Sequence, residues 1–155
     1  MLLFKETLIG VIGVEETDGY ITHVYLPEKD IRSAAAGNAT PLLHEAFDQL
    51  NRYLKGSLRE FSLPLRPKGT PFMQRVWQAL CDVPYGTTAS YKDIAVAIGS
   101  PKACRAVGMA NNKNPIPIFI PCHRIIGADG KLVGYGGGLA MKRRLLALET
   151  RQRTL

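Results

Sequence analysis

The sequence predicts an α+β fold: a small N-terminal sheet-plus-helix domain, residues 1–66, followed by a mostly helical C-terminal domain, residues 67–155. The first 39 residues are rich in β-branched and apolar side chains, whereas the second half repeats apolar residues at helical spacing. The charge divides at the same place, because residues 1–66 carry a net charge of −2 and residues 67–155 one of +9.

Strands and one helix account for the N-terminal part. Residues 7–14 and 20–26 are rich in β-branched and apolar residues, and each is predicted to be a strand. Thr40, which a proline follows, supplies the N-cap of a helix. The apolar side chains that recur at helical spacing within it are Leu43, Phe47, Leu50 and Leu54. Residues 57–68 are predicted to be a linker.

The C-terminal part is predicted to be mainly helical. Apolar side chains recur every four residues from Phe72 to Leu80, and Ser90-Tyr91-Lys92-Asp93 has the pattern of a capping box that opens a second helix. Ser100-Pro101 begins the next helix directly after Gly99. Two short helices joined through such a turn predict a helix-turn-helix, here of the winged-helix-like kind. Residues 139–149 form the last helix.

The second helix of this pair has an unusual face. Its side chains are nearly all small: Ala103, Cys104, Ala106, Val107, Gly108 and Ala110. Small side chains allow close approach of another helix or of a nucleic-acid groove, so a tightly packed core helix is the alternative. Arg105 favours the groove, because a buried guanidinium without a partner is costly.

The charge and the cysteines restrict the class of protein. A basic half-chain suggests a polyanionic partner, with a solvated surface as the alternative. Three cysteines without a Cys-x-x-Cys pair argue against a disulfide scaffold and a zinc site. Cys81 and Cys104 are interpreted as packing residues. We expect no signal peptide and no membrane span, and a cytoplasmic location, where thiols stay reduced.

Pro121-Cys122-His123-Arg124 carries the strongest indication of chemistry. It follows the apolar run 116–120, which is predicted to be a buried strand with Cys122 at its end. His123 and Arg124 are expected to favour the thiolate. Since neighbours on a strand point to opposite faces, a bridging water is the simpler link between cysteine and histidine. A buried core cysteine is the alternative.

These motifs resemble a known family. Asn114-Pro115, Pro121-Cys122-His123-Arg124 and Gly134-Tyr135-Gly136-Gly137-Gly138, with Lys142 and Glu149, are similar to the active-site half of the O6-alkylguanine-DNA alkyltransferases, the methylated-DNA–protein-cysteine methyltransferases. Members of this family repair DNA by taking an alkyl group onto their own cysteine. The resemblance spans residues 69–149, and residues before 66 match only loosely.

The resemblance implies a role for each catalytic position. Cys122 would accept the alkyl group irreversibly, once per molecule, from O6-alkylguanine and from O4-alkylthymine. A chain from Cys122 through water and His123 to Glu149 would activate the thiol. Tyr91 would supply a proton to the leaving base, and Asn114 would brace the turn before the cysteine.

The resemblance also implies the substrate and its contacts. The partner is double-stranded DNA bearing alkylated bases, bound by a monomer without a cofactor or metal. Arg105 would take the place of the flipped-out nucleotide. The other expected DNA contacts are Ser90, Lys92, Ser100, Ala103 and Gly108, and the alkyl pocket would be lined by Pro117, Tyr135 and Gly136.

Three other functions fit parts of the sequence. A lesion-binding protein that lacks the nucleophile is disfavoured by Cys122. A Cys-His hydrolase would need a histidine in direct contact with sulfur, and His23 and His44 lie in the acidic half. A helix-turn-helix regulator would leave residues 121–124 without a purpose.

Overall fold

The computed structural model describes residues 1–27, 39–133, 135 and 137–153, without the side chains of the last two. The α+β prediction is confirmed, since an N-terminal sheet with one helix precedes a mainly helical part. The chain forms two compact units. One comprises Met1–Pro67 with Pro115–Pro117, and the other comprises Lys68–Asn114 with Ile118–Leu155.

The first unit is an antiparallel meander with one helix. Its strands are β1 (Leu2–Thr7), β2 (Gly10–Thr17) and β3 (Tyr20–Tyr25), in the order β1-β2-β3, and α1 (Pro41–Leu54) packs on β2. The Thr40 side chain accepts a hydrogen bond from the Leu43 amide, so the predicted N-cap is confirmed.

The predicted strand 7–14 is wrong at its beginning. The chain turns between Thr7 and Gly10, where the Thr7 hydroxyl donates to the Gly10 carbonyl at 2.7 Å and Gly10 has a φ of +107°. The turn separates β2 from β1, a strand at Leu2–Thr7 that the sequence analysis does not predict. Much of the predicted strand-rich stretch beyond residue 27 lies outside the described residues.

The described residues of the second unit form four α-helices. They are α2 (Pro71–Cys81), α3 (Tyr91–Ala97), α4 (Cys104–Asn112) and α5 (Leu139–Arg153). α3 and α4 pack on each other and both contact α2, as a helix-turn-helix requires. The capping box is confirmed, because Ser90 Oγ accepts from the Asp93 amide at 3.0 Å and Asp93 Oδ2 from the Ser90 amide at 2.9 Å. The predicted start of the next helix at Ser100-Pro101 is wrong, since α4 begins at Cys104 after a turn.

Two short strands join α3 to the cysteine segment. β4 (Ala89–Ser90) and β5 (Ile125–Ile126) pair in parallel, with Ala89 opposite Ile125 and Ser90 opposite Ile126. β4 leads directly into α3, and β5 follows directly after Cys122-His123-Arg124. This pairing therefore fixes the first residue of α3 relative to the cysteine.

The predicted strand at residues 116–120 is wrong. Ile116, Ile118, Phe119 and Ile120 are buried, as their apolar character requires, but the segment is a turn. Ile118 has a φ of 74°, a left-handed conformation that a β-branched residue rarely adopts and that no strand contains. Burial was predicted correctly, and the extended conformation was not.

Two further details of the second unit differ from expectation. Cys81, at the end of α2, is exposed and Cys104 is half-buried, so the prediction that both are packing residues is wrong for Cys81. α5 buries Lys142, Leu145 and Glu149, which share one helical face. Within the described residues, no helix combines the length and the apolar character needed to cross a bilayer.

Candidate active site

Cys122 lies in a single 3-10 turn, Cys122–Arg124, instead of at a strand end. Its side chain is buried, with only 5% of the residue exposed. Two backbone hydrogen bonds stabilise the turn: the Cys122 amide donates to Ile120 O at 2.8 Å, and the Arg124 amide donates to Pro121 O at 3.1 Å. Asn114 braces the approach to it by donating to Ile120 O at 2.9 Å.

A buried carboxylate organises the turn from the opposite side. Glu149, on α5, is 1% exposed and accepts four hydrogen bonds. Its Oε2 receives His123 Nε2 at 2.7 Å and Arg124 Nη2 at 3.1 Å, and its Oε1 receives Arg124 Nε at 2.8 Å and the Gly86 amide at 3.3 Å. Arg124 also donates through Nη1 to Val83 O at 2.8 Å.

This geometry assigns the charges of the cluster. Burial alone would raise the pKa of Glu149, but donation from His123 and Arg124 outweighs it and lowers the pKa to about 2. The pKa of His123 is lowered, mainly because its ring is fully buried. Since an ionised carboxylate can only accept, His123 Nε2 carries the proton and Nδ1 carries the basic lone pair.

The cysteine itself departs from the sequence-based prediction. Burial raises the pKa of Cys122 to about 11, although the Asn114 side chain and the Lys142 charge act in the opposite direction. The expectation of a thiolate favoured in the free protein is therefore wrong. The guanidinium of Arg124, assigned to that purpose, pairs with Glu149 instead.

The charge of Cys122 affects the pKa of two tyrosines. Tyr91, the first residue of α3, donates its hydroxyl to Val133 O at 3.3 Å. Its pKa is raised by burial and then by the cysteine charge. Burial, Cys122 and Glu149 raise the pKa of Tyr135 well above its ordinary value, so both phenols stay protonated. Among the described residues, none accepts or donates a hydrogen bond at the Tyr135 hydroxyl.

The predicted DNA contacts lie around α3 and α4. On α4, Arg105 is exposed and Gly108 is half-buried with its Cα against Tyr91, where an added Cβ would come within 3.7 Å of the ring. The predicted DNA contacts that precede α4 are Ser100 and Ala103, both half-buried. Ser90 caps α3, and Lys92 Nζ donates to Pro101 O at 2.7 Å, so these two residues also hold the motif together.

Two predicted pocket residues stay predictions. Pro117 is buried and belongs to the segment Pro115–Pro117 of the first unit, and Gly136 lies outside the described residues. The described part of the chain contains no group of three His, Cys, Asp or Glu side chains that could hold a metal ion.

The sequence does not predict the contacts of three residues in the site. It suggests that Arg124 acts on the thiol, it includes Lys142 only as part of a motif, and it gives no role to Val133. Spacing could have found Lys142, because it lies seven residues before Glu149 and therefore on the same face of the helix. The contact of Arg124 with a residue 25 positions away has no local sequence signature.

Two family models match the chain. Residues 4–67 match the ribonuclease-like domain of 6-O-methylguanine DNA methyltransferase, and residues 71–151 match the DNA binding domain of the same family.

Relatives and a solved structure agree with these matches. A methylated-DNA–protein-cysteine methyltransferase of Methanosarcina barkeri is 60% identical over 105 residues, which are 68% of this chain and 66% of that protein. The constitutive one of Bacillus subtilis is 49% identical over 138 residues, 85% of this chain and 84% of that protein. The crystal structure of Mycobacterium tuberculosis OGT in complex with DNA has a TM-score of 0.88 at 45% identity, and the match covers 97% of this chain and 93% of that one.

Fold and site together define a protein whose chemistry centres on one buried thiol beside a helix-turn-helix. The chain belongs to the 6-O-methylguanine DNA methyltransferase family. The predicted family and the predicted enzyme class, a methylated-DNA–protein-cysteine methyltransferase, are thereby confirmed.

The Glu149 cluster predicts a large effect of one substitution. Glu149→Gln leaves the Arg124 guanidinium buried without a counter-charge, which should lower the free energy of unfolding at neutral pH by about 3–5 kcal/mol. Urea denaturation measures this loss. Asp48→Asn is the matched control, because its ion pair with Arg52 is exposed and should be worth less than about 1 kcal/mol. Equal losses in the two variants would contradict the assignment.

The same carboxylate predicts an acid transition. A depressed pKa stabilises the folded state above the ordinary value of 4.5, and this contribution is lost as the pH falls through about 2. Wild type should lose it over that interval, whereas Glu149→Gln should lack this part of the pH dependence.

Proposed function

We propose that this chain repairs double-stranded DNA by transferring a methyl or other alkyl group from guanine O6, or from thymine O4, to Cys122 Sγ. The observation that carries the proposal is the buried thiol in a rigid turn beside the His123–Glu149–Arg124 cluster. The relatives are methyltransferases that act on methylated DNA, and the M. tuberculosis structure is a complex with DNA.

The reaction is a displacement at the alkyl carbon. The sulfur lone pair forms the S–C bond while the C–O bond breaks, and the electron pair of that bond passes to the base. The thiol proton leaves toward His123, and a proton reaches the base, so the net products are a protein thioether and an unmodified base. No other reactant is consumed.

A neutral resting thiol suits a protein that reacts once. With its pKa raised to about 11, Cys122 is protonated at neutral pH and poorly reactive toward stray electrophiles or oxidants. His123 Nδ1 is the base within the cluster, through a bridging water. Proton transfer to His123 creates an imidazolium that Glu149 already faces at 2.7 Å, which favours transfer when substrate is present.

The leaving base requires a proton donor. We assign this role to Tyr91, whose raised pKa keeps its hydroxyl protonated. Burial and the charges of Cys122 and Glu149 raise the pKa of Tyr135, so its protonated hydroxyl would be a second donor at the alkyl pocket. Asn114 positions the thiol, since it contacts both the turn and the sulfur.

Access to the base requires nucleotide flipping, because a buried thiol cannot reach a base inside a duplex. The exposed face of α4 supports minor-groove binding: Ala106 is small, Met109 is exposed and apolar, and Arg105 is an exposed long cation beside them. Arg105 would fill the space of the flipped nucleotide. The +9 charge of residues 67–155 supplies phosphate attraction.

The product of the reaction determines how many times each molecule can react. A thioether is not cleaved under mild conditions by the side chains of a protein, so each molecule would act once. We propose that the chain acts as a monomer in the cytoplasm, on DNA with damaged bases. Single turnover should give an amount of repaired DNA equal to the protein concentration and no further product, whereas multiple turnover should exceed that amount.

Intact mass spectrometry tests the transfer directly. Incubation with duplex DNA containing O6-methylguanine should add one CH2 unit to the protein, located on the Cys122 peptide. Cys122→Ser should gain no mass, and Cys104→Ser should gain it like wild type. Binding of the duplex without any gain in mass would refute transfer and favour a recognition protein.

Arg105→Ala should slow nucleotide flipping without changing the alkyl-transfer step itself. Transfer from duplex DNA should slow about tenfold, equivalent to roughly 1.4 kcal/mol of transition-state stabilisation. Transfer from the free nucleoside, which needs no flipping, should keep its rate. Arg143→Ala removes an exposed cation from α5 and is the matched control. Equal rates of wild type and Arg105→Ala on duplex DNA would refute the role.

A further inference from the structure

One backbone oxygen in the site accepts hydrogen bonds from two side chains. Val133 O receives the Tyr91 hydroxyl at 3.3 Å and the Lys142 ammonium at 2.8 Å. Tyr91 begins α3, and Lys142 lies in the first turns of α5, so this carbonyl connects two helices of the same unit. The shorter of the two bonds is the charge-assisted one, which is the stronger kind.

Lys142 is an unusual residue to bury. It is 0% exposed, whereas lysine is almost never fully buried without a partner. It shares the α5 face of Leu145 and Glu149, the face that meets the Cys122 turn. Burial lowers its pKa, and the Cys122 charge acts in the opposite direction.

Several groups interact with this ammonium. Cys122 and His123 lie on the 3-10 turn against which α5 packs, and the Lys142 charge lowers the pKa of both. Tyr91 approaches from α3 through the shared carbonyl. Glu149, on the same helix, is already occupied by His123 and Arg124.

We propose that Lys142 is a positioning residue that couples the nucleophile to the proton donor: its ammonium stabilises negative charge on Cys122 Sγ and, through Val133 O, sets the position of Tyr91. The effect on Tyr91 rests on the proposed alkyl transfer, whereas the effect on the Cys122 charge does not. In the free protein the Tyr91 hydroxyl lies on Val133 O, and it must leave that oxygen to donate to a bound base. Lys142 keeps the carbonyl occupied when that happens, so releasing the tyrosine does not leave this oxygen without a donor.

The first experiment measures the charge effect without DNA. Iodoacetamide alkylation of Cys122 is followed by peptide mass spectrometry between about pH 7 and pH 10, where a thiol of raised pKa gains reactivity with pH. Lys142→Met should shift this profile to higher pH by about one unit. At a given pH, Cys122 should then be alkylated about tenfold more slowly than in wild type. Lys142→Arg, which keeps the charge, should stay near wild type. Cys104 in the same molecule is the internal control, and its rate should not change.

The second experiment measures the coupling to Tyr91. Single-turnover methyl transfer from O6-methylguanine duplex is compared in wild type, Lys142→Met, Tyr91→Phe and the double variant. If both side chains act through Val133 O, Lys142→Met should slow the Tyr91→Phe background about fivefold less than it slows wild type. Circular dichroism at the assay temperature verifies that each variant is folded.

The outcomes separate the two proposals. An unshifted iodoacetamide profile in folded Lys142→Met overturns the charge effect, and independent rate losses overturn the coupling to Tyr91. A wild type that transfers no methyl group refutes the proposed function, while the iodoacetamide profile still decides the effect of Lys142 on the thiol.

Discussion

The Glu149 carboxylate is the contact on which the rest of the site depends. It accepts from Arg124 through two nitrogens, from His123 and from the Gly86 amide, and so joins α5, the 3-10 turn and the segment after α2. A buried carboxylate is tolerated only when its oxygens are satisfied in this way. Because the turn that carries Cys122 has no side-chain cap of its own, this network holds it in place.

The same carboxylate determines which protonation states the site can hold. It fixes the neutral tautomer of His123 by accepting from Nε2, and it neutralises Arg124, so neither residue presents an unbalanced positive charge to the thiol. Among the described residues of the cluster, Lys142 is then the cation that Glu149 leaves unneutralised. With a neutral thiol and a neutral His123, the cluster carries one excess positive charge, and proton transfer from Cys122 to His123 leaves this total unchanged.

Burial and reactivity oppose each other at Cys122. Desolvation raises the pKa of the thiol to about 11, and this protects a residue that can react only once. In the proposed reaction the His123 ring accepts the thiol proton, the Lys142 ammonium stabilises the thiolate, and Glu149 faces the imidazolium that forms. The pairing of β4 with β5 fixes Tyr91, the proposed proton donor, relative to the turn. We therefore propose that the nucleophile stays inert until a nucleobase occupies the site.

Local features of the fold were predictable from sequence, and long-range ones were not. The N-cap at Thr40 and the capping box at Ser90 depend on residues three apart, and both are present. The apolar run at 116–120 was correctly predicted to be buried, but apolar character does not specify an extended backbone, and Ile118 adopts a left-handed conformation.

The direction of the Cys122 pKa was missed for a related reason. Neighbours in sequence suggested two activating cations, whereas the fold directs Arg124 to Glu149 and buries the sulfur. The choice of site residues came from motif resemblance, and their electrostatics required the tertiary structure.

The protonation state of His123 shows whether Glu149 controls the electrostatics of the site. Nitrogen-15 NMR of the free protein at neutral pH distinguishes the two tautomers and the imidazolium by the shifts of the two ring nitrogens. The account predicts a neutral ring with the proton on Nε2, bound to Glu149, and the lone pair on Nδ1. A proton on Nδ1 with a bare Nε2, or an imidazolium in the resting protein, would contradict it.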